Sequence, residues 1–589
     1  MKMLKSLLCY YLVLSCISYT LTFTAKTVPI IKVEGKGGDL LDNLKKPQKV
    51  LLVSIDGFRW DLHKITDTPN IDRVIKNGVT VDHVLNVFPT KTLPNHQSIV
   101  TGLFPEHHGM VDNDFMDRKT GARFYLASDD CMTNTTWWDQ SLPIWIQIQR
   151  KMGYKTGNLF WPGYRVPYKN YLRDKNHPVN ETAFFLPSRK HSKDYEGGKG
   201  DYKKSLYKAM HKAYRWLKRD DTIFVSLYSM EPDTTLHENG VEHDKVKREV
   251  EKVDQFVGAI YDRITRDEKL KDQVNVIFVG DHGHITTTSD RMIDLSRLVN
   301  LKDDIEGLFG FTNVFLYTKP NKTAKVYKKL KKFSEKSTTF RVFLKKDIPK
   351  YLHVGNNSRT GDILILPEPG WIVVDKTALA EYLQKPNWIR SEHGYDSLNR
   401  EMNPGFFAFG PMFKKGFKKP CIKTVDLYGL MCKILGMEPS QNDGKFERVK
   451  PLLATKQKLR KKKGNRKKAS QRGTIQKVTS VKGKIQGTKN MGKIIFKKKK
   501  QKSKNNQSKT KNDKSRNEDE DEKKQDQDEE DEKDGGDEYD EDDDIDDVTS
   551  EDEDDVISGD DDDVIDDDDD DYGDNGGEYD SDEFPIVCK

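Results

Sequence analysis

The stretch Val50-Leu-Leu-Val-Ser-Ile-Asp56-Gly57-Phe58 decides the fold. A short apolar run closed by a carboxylate and a glycine reads as a strand buried on both faces that delivers Asp56 at its carboxyl end. In open α/β sheets that edge is where ligands bind. The same arrangement returns twice, in Thr222-Ile-Phe-Val-Ser-Leu before Glu231-Pro-Asp233-Thr-Thr-Leu-His237, and in Val274-Asn-Val-Ile-Phe-Val before Gly280-Asp281-His282-Gly283. Between these two runs, Val246, Val250, Val253, Val257, Ile260 and Ile264 recur at alternating steps of four and three, the pattern of an amphipathic helix. A strand-helix-strand crossover follows, and with it an α/β fold: a central, mostly parallel sheet flanked by helices.

Three strands thus end in metal-binding side chains. Asp233 and His237 are four residues apart, and His393 in Ser391-Glu-His393-Gly394-Tyr395-Asp396 completes an Asp/His/His set with them. Asp56, Asp281 and His282 form a second set that leaves one position for a nucleophile. Mixed imidazole and carboxylate ligation suits zinc, whereas magnesium and calcium prefer oxygen alone. Two zinc ions roughly 4 Å apart clamp the attacking and leaving sides of a phosphoryl group, and coordination activates a hydroxyl that is otherwise a poor nucleophile at neutral pH.

The candidate hydroxyl lies in Phe88-Pro-Thr90-Lys-Thr92-Leu93-Pro94-Asn-His-Gln-Ser-Ile-Val-Thr-Gly102. Pro94 suits a first helical turn, which places Thr92 at a helix N-terminus beside backbone donors that favour phosphate oxygens. Thr90 remains open as an alternative on these grounds.

The chain resembles the ectonucleotide pyrophosphatase/phosphodiesterase family of the alkaline-phosphatase superfamily. The resemblance rests on Pro89-Thr-Lys-Thr92-Leu-Pro-Asn-His, Thr101-Gly-Leu-Phe-Pro-Glu-His-His-Gly109 with Asn113 soon after, Glu231-Pro-Asp233 with His237, Asp281-His-Gly283, His393-Gly-Tyr-Asp396 and Phe406-Phe-Ala-Phe-Gly-Pro411. It implies that Thr92 is the nucleophile and shares one zinc with Asp56, Asp281 and His282, that Asp233, His237 and His393 hold the other, and that Asn113 stabilises a phosphoryl oxygen. It also implies cleavage of nucleotides or dinucleotides through a nucleotidyl-threonine intermediate. The run Phe160-Trp161-Pro-Gly163 is similar to a base-pocket wall of the nucleotide-cleaving branches. Tyr168 and Tyr171 are the stacking candidates, and Leu93 stands where many relatives place an aromatic. A lysophospholipid or choline-phosphodiester hydrolase is the alternative within the enzyme class. Outside it, the alternative is a matrix protein binding mineral or glycan through its charged tail.

Lys2 and Lys5 precede an apolar stretch from Leu7 to Ile17, which reads as a signal peptide over residues 1–20 and implies secretion; an uncleaved membrane tether is the alternative. No membrane span is expected beyond that segment. Sequons at Asn134, Asn180, Asn321 and Asn356 fit an extracellular glycoprotein. Once Cys9 and Cys16 leave with the signal, Cys131, Cys421, Cys432 and Cys588 allow three connectivities. Cys421, just before the helical segment from Val425 to Leu435, and Cys432, within it, are an expected pair, with a buried thiol at Cys432 as the alternative.

A linker over 21–48 and a catalytic domain over 49–453 complete the ordered organisation. Residues 454–516 are then Lys-rich and 517–589 Asp/Glu-rich, and both lack the apolar content to offset ordering entropy. The net charge of +5, from 100 Lys and Arg against 95 Asp and Glu, therefore sums two opposite polymers and says nothing about the domain. The basic half contains one aromatic, Phe496, so sequence-specific nucleic-acid binding is not expected and glycans or matrix are the expected partners. The acidic half lacks an EF-hand's glycine and glutamate spacing, but its carboxylates suit weak calcium binding and contact with calcium mineral.

Overall fold

The computed structural model describes residues 47–168, 202–383 and 388–454. The signal segment, Tyr171, Asn180, Cys588 and both charged segments lie outside them.

A seven-stranded sheet forms the centre, in the order Phe417–Lys423, Val79–Leu85, Phe406–Phe409, Val274–Val279, Lys49–Ile55, Thr222–Ser229, Lys155–Leu159. Phe406–Phe409 pairs antiparallel with both its neighbours, and the remaining four pairings are parallel. The mostly parallel α/β architecture expected from the three apolar runs is therefore the one observed.

The Lys49–Ile55 strand shows why such runs lack alternation. Val50 and Leu52 pack into one core cluster while Leu51, Val53 and Ile55 pack into another on the opposite face, and all seven residues of the strand are buried. Each fully buried Val, Leu or Ile contributes about 1.5–3 kcal/mol, so a polar residue on either face would cost heavily. The expected helix spans Asp244–Arg266 and buries Val246, Val250, Val253, Val257, Ile260 and Ile264 against the second cluster.

The crossover has a consequence for chemistry. Thr222–Ser229 and Val274–Val279 do not pair with each other; each pairs in parallel with Lys49–Ile55 from opposite sides, with Ile55 level with Ser229 and Ser54 level with Val279. Their carboxyl ends, carrying Asp56, Asp233 and Asp281, therefore emerge together on one edge.

Two features depart from expectation. A second, antiparallel sheet of four strands, Ile305–Phe309, Val314–Thr318, Ile363–Pro367 and Phe340–Leu344 in spatial order, has its own core with the helix Thr323–Ser337. The Cys421–Cys432 pairing is corrected: Cys432 is a free thiol buried in the helix Asp426–Leu435, and the disulfide of Cys421 is not with it. Cys432 faces the large core cluster, a surrounding that suits an apolar thiol.

Candidate active site

Asp56 leaves the first strand and is held by Tyr228, whose hydroxyl donates to Oδ2. Asp281 leaves the neighbouring strand, and its Oδ1 accepts from the backbone N–H groups of Gly57 at 3.1 Å and His282 at 2.9 Å. The other oxygens, Asp56 Oδ1 and Asp281 Oδ2, are buried without any hydrogen bond. Both point at one place: His282 Nε2 lies 3.3 Å from the first and 3.2 Å from the second, and Thr92 Oγ1 lies 3.4 Å from the same nitrogen.

These separations are informative. Ligands bound tetrahedrally to zinc at about 2.0 Å stand roughly 3.3 Å from one another. Asp56, Asp281, His282 and Thr92 fit that geometry, and the two orphaned oxygens are the acceptors a cation would satisfy.

The second set adjoins the first. Asp233 opens the helix Asp233–Asn239, which brings His237, one turn on, to the same face. His237 Nε2 lies 3.5 Å from Asp233 Oδ2 and 3.1 Å from His393 Nε2, and His393 Nε2 lies 3.7 Å from Asp233 Oδ1. The rings of His282 and His393 stack at 3.5 Å between centroids, so the two sets share a wall. All seven residues expected as ligands are thus brought together, and the donor chemistry of both sets fits zinc.

Electrostatics point the same way. Burial first, then the charges of Asp281 and Asp233, raises the Asp56 carboxyl well above its ordinary range, and burial with the Asp233 charge raises Asp281 to about 7. Burial also disfavours ionised Asp233, but His237, His284 and His393 outweigh it and hold that carboxyl well below its usual range. His282 and His393 are kept neutral mainly by burial, which leaves ring nitrogens able to bind metal. For His237, burial is outweighed by Asp233 and Glu392, and its pKa rises to about 10. Three crowded carboxylates with few nearby cations make a site that favours added positive charge.

Thr92 begins the helix Thr92–Thr101, with Pro94 in its first turn and Gly102 closing it at φ +73°. The rest of that helix is buried all round, so Thr92 is the one residue in it with exposed surface. Thr90 is fully buried, and its hydroxyl is used twice: it donates to Tyr395 O at 2.9 Å and accepts from Gly394 N–H at 3.0 Å. The side-chain carbonyl of Asn113 accepts from Leu93 N–H at 2.9 Å, which turns its amide N–H₂ away from the helix. Lys91 does not face the metal sets; it pairs with buried Asp112 at 2.8 Å.

The expected base-pocket residues behave differently. Leu93, Trp161 and Tyr168 are all buried in the large core cluster, Trp161 edge-on to His96, so none presents a free stacking face in this structure. Two residues of the site escaped the sequence reading. Glu392 lies 3.1 Å from His237 Nδ1, and fully buried His284 lies 2.7 Å from Asp233 Oδ1. The signal for both was proximity to ligands, since His284 is two residues past His282 and Glu392 precedes His393.

Comparison with known proteins gives concordant results. The profile of the family described as Type I phosphodiesterase / nucleotide pyrophosphatase matches residues 50–396. The chain is 35% identical over 411 residues to bis(5'-adenosyl)-triphosphatase ENPP4 of Bos taurus, covering 69% of this chain and 82% of that protein. It is 32% identical over 417 residues to ectonucleotide pyrophosphatase/phosphodiesterase family member 7 of Mus musculus, covering 70% and 88%. Among solved structures, an inactive threonine-to-alanine variant of murine ectonucleotide pyrophosphatase/phosphodiesterase 5 in complex with AMP superposes with a TM-score of 0.59 at 31% identity, over 69% of this chain and 100% of that one.

Proposed function

The chain belongs to the type I phosphodiesterase / nucleotide pyrophosphatase family and is a phosphodiester hydrolase, and on that premise we propose that it cleaves nucleotide phosphodiester and pyrophosphate bonds through a covalent nucleotidyl-threonine intermediate. The observation that carries this reading is the convergence of Thr92 Oγ1 with His282 Nε2 and the two orphaned carboxylate oxygens. The names of two relatives support the substrate class, since one is a bis(5'-adenosyl)-triphosphatase and another was captured with AMP.

Asp56, Asp281, His282 and Thr92 would hold one zinc, and Asp233, His237 and His393 the other. Zinc so held supplies Lewis acidity, lowering the pKa of a bound hydroxyl or water and neutralising phosphoryl oxygens. In the first step Thr92 Oγ1 gives up its proton to solvent and attacks phosphorus: the Oγ1–P bond forms, the bond from phosphorus to the leaving oxygen breaks, and that oxygen departs with the electron pair and takes up a proton from solvent. Asn113, its carbonyl fixed on Leu93 N–H, donates its amide hydrogens to a phosphoryl oxygen as charge develops there. In the second step the oxygen of water bonds phosphorus, the P–Oγ1 bond breaks, and a water proton returns to Oγ1.

The elements from Lys49 to Leu452 support a catalytic domain over 49–453. We place the protein outside the cell, from the signal-like residues 1–20 and from the sequons at Asn321 and Asn356, both exposed. Asn134 is exposed as well, and its side-chain oxygen caps a short helix through Thr136 N–H. Among the described residues no helix is long and apolar enough to cross a membrane.

The test is a substrate panel on purified protein of measured zinc content: diadenosine polyphosphates, nucleoside triphosphates, a lysophospholipid and a choline phosphodiester. Turnover of the nucleotides well above the lipids is expected. Preference for the lipid or choline substrates would overturn the nucleotide assignment.

A further inference from the structure

His284 belongs to neither metal set, yet it is fully buried at the edge of one of them. Asp233, His282, His284 and His393 each offer a donor atom within 4.8 Å of the others. Distance separates their roles. His237 Nε2 stands 3.5 Å from Asp233 Oδ2 and 3.1 Å from His393 Nε2, both close to the roughly 3.3 Å edge of a zinc tetrahedron. His284 Nε2 stands 2.7 Å from Asp233 Oδ1, a hydrogen-bond length and too short for two ligands of one ion.

The carboxylate fixes which ring nitrogen carries the hydrogen. Ser391 Oγ donates to Leu236 O at 2.7 Å and lies 3.2 Å from His284 Nδ1. Asp233 as a carboxylate only accepts, so the hydrogen belongs on Nε2; the one hydrogen of the serine goes to Leu236 O, so its hydroxyl oxygen packs beside Nδ1 without donating to it. Room for the contact comes from Gly57: a Cβ there would come within 2.9 Å of His284 Nε2 and 3.0 Å of Asp233 Cα. The residue after Asp56 is thus shaped to let His284 meet Asp233.

The connections made by this ring span the site. Asp233, Leu236 and His237 lie on the helix Asp233–Asn239. His282 leads into the strand Ile285–Thr288, which pairs antiparallel with Ile389–Glu392, the strand that ends at His393. No backbone pairing ties the helix to that strand pair at this point. The His284 ring and Ser391 hydroxyl do so through Asp233 Oδ1 and Leu236 O.

We propose that His284 is a positioning residue that orients Asp233 by donating Nε2–H to Oδ1, so that Oδ2 and the nitrogens of His237 and His393 form the second zinc site. The inference rests on the reading that these three residues hold a metal. Partners of this kind tune metal affinity by about 10–100-fold when removed.

The experiment uses full-length protein stripped of metal and reloaded, with zinc affinity of each site measured by chelator competition and the cobalt(II) spectrum as a second readout. Wild type is expected to bind two ions. His284→Leu should keep one tight site and weaken the other about 10–100-fold, and His284→Gln, which can again donate to Oδ1, should restore most of the loss. Ser391→Ala, which keeps the ring but removes the hydroxyl that packs beside Nδ1 and bonds Leu236 O, should weaken the same site several-fold and carries the test if the leucine variant does not fold. Unchanged affinity at both sites in His284→Leu or in Ser391→Ala overturns the proposal, as does a glutamine variant as weak as the leucine one. Wild type that binds fewer than two ions would defeat the two-metal reading itself, a distinct result.

Discussion

Loading the metal-free protein with zinc should release protons, and the site determines roughly how many. Ligands must bind as neutral imidazoles and carboxylates. His237 has its pKa raised to about 10 by Asp233 and Glu392 against the effect of burial, so at pH 7 it carries about one proton that zinc must displace. Its side chain is 32% exposed, so solvent screens part of that rise, but the direction keeps the imidazole mostly protonated at pH 7. Asp281, at about 7, holds about half a proton more. Asp56 is raised as well and adds its share, whereas His282 and His393 are already neutral and add none. Release of at least about one and a half protons at pH 7 is therefore expected. The sign follows from which form binds: higher pH empties His237 and favours the metal, and acid expels it. From pH 6 to pH 8 the His237 proton alone should tighten the second site about a hundredfold, or about 2.7 kcal/mol. Titration calorimetry in two buffers of different ionisation enthalpy counts the protons directly. Release below about half a proton, with affinity independent of pH, would refute the electrostatic account.

Other consequences can be checked separately. Thr90→Ala strands the buried Gly394 N–H and should cost about 1–3 kcal/mol in chemical unfolding, yet leave turnover within about tenfold. Glu231 has its pKa raised to about 7, by burial first and then by Glu249. Its protonated form is favoured in the folded protein, so the stability it contributes is present below about 4.5 and lost as pH rises through 7. Glu231→Gln should therefore be more stable than wild type at pH 8 by up to about 3 kcal/mol, with most of that difference gone at pH 5; equal stability at both would refute it. Truncation after Leu453 should leave cleavage of a small soluble substrate nearly unchanged while reducing retention on calcium carbonate or phosphate, because weak carboxylate contacts along one chain add multivalently. Equal retention would remove the mineral role, and lost cleavage would show that the tail supports the domain.

What could be read in advance follows from how local each signal is. The strand ends at Asp56, Asp233 and Asp281 were legible because a buried parallel strand writes a continuous apolar run. Their meeting was legible because parallel neighbours share an edge. Asp233 and His237 needed only helical spacing. His284 and Glu392 were not legible: each flanks an obvious ligand, and only the pairing of Glu392 with Ile285, more than a hundred residues apart, brings their neighbourhoods together. The choice between Thr90 and Thr92 was likewise tertiary, resting on the two bonds Thr90 makes to Tyr395 and Gly394. The four-stranded sheet was missed because its antiparallel strands are short, and one carries an irregularity between Ile305 and Gly307 that blurs their alternation. Trp161 resembles a pocket wall and Tyr168 is a stacking candidate, and both are buried in the large cluster.

The proposed mechanism requires that Thr92 form the covalent intermediate at an intact two-metal site. Its most direct test measures zinc content and single-turnover kinetics of Thr92→Ala beside wild type, with the quenched wild-type protein digested and mapped by mass for a nucleotidyl adduct. An adduct on Thr92 is expected, with a variant that retains most of its zinc through Asp56, Asp281 and His282 but turns over at least about a thousandfold more slowly. Near-native turnover by Thr92→Ala, or an adduct on Thr90, would contradict it.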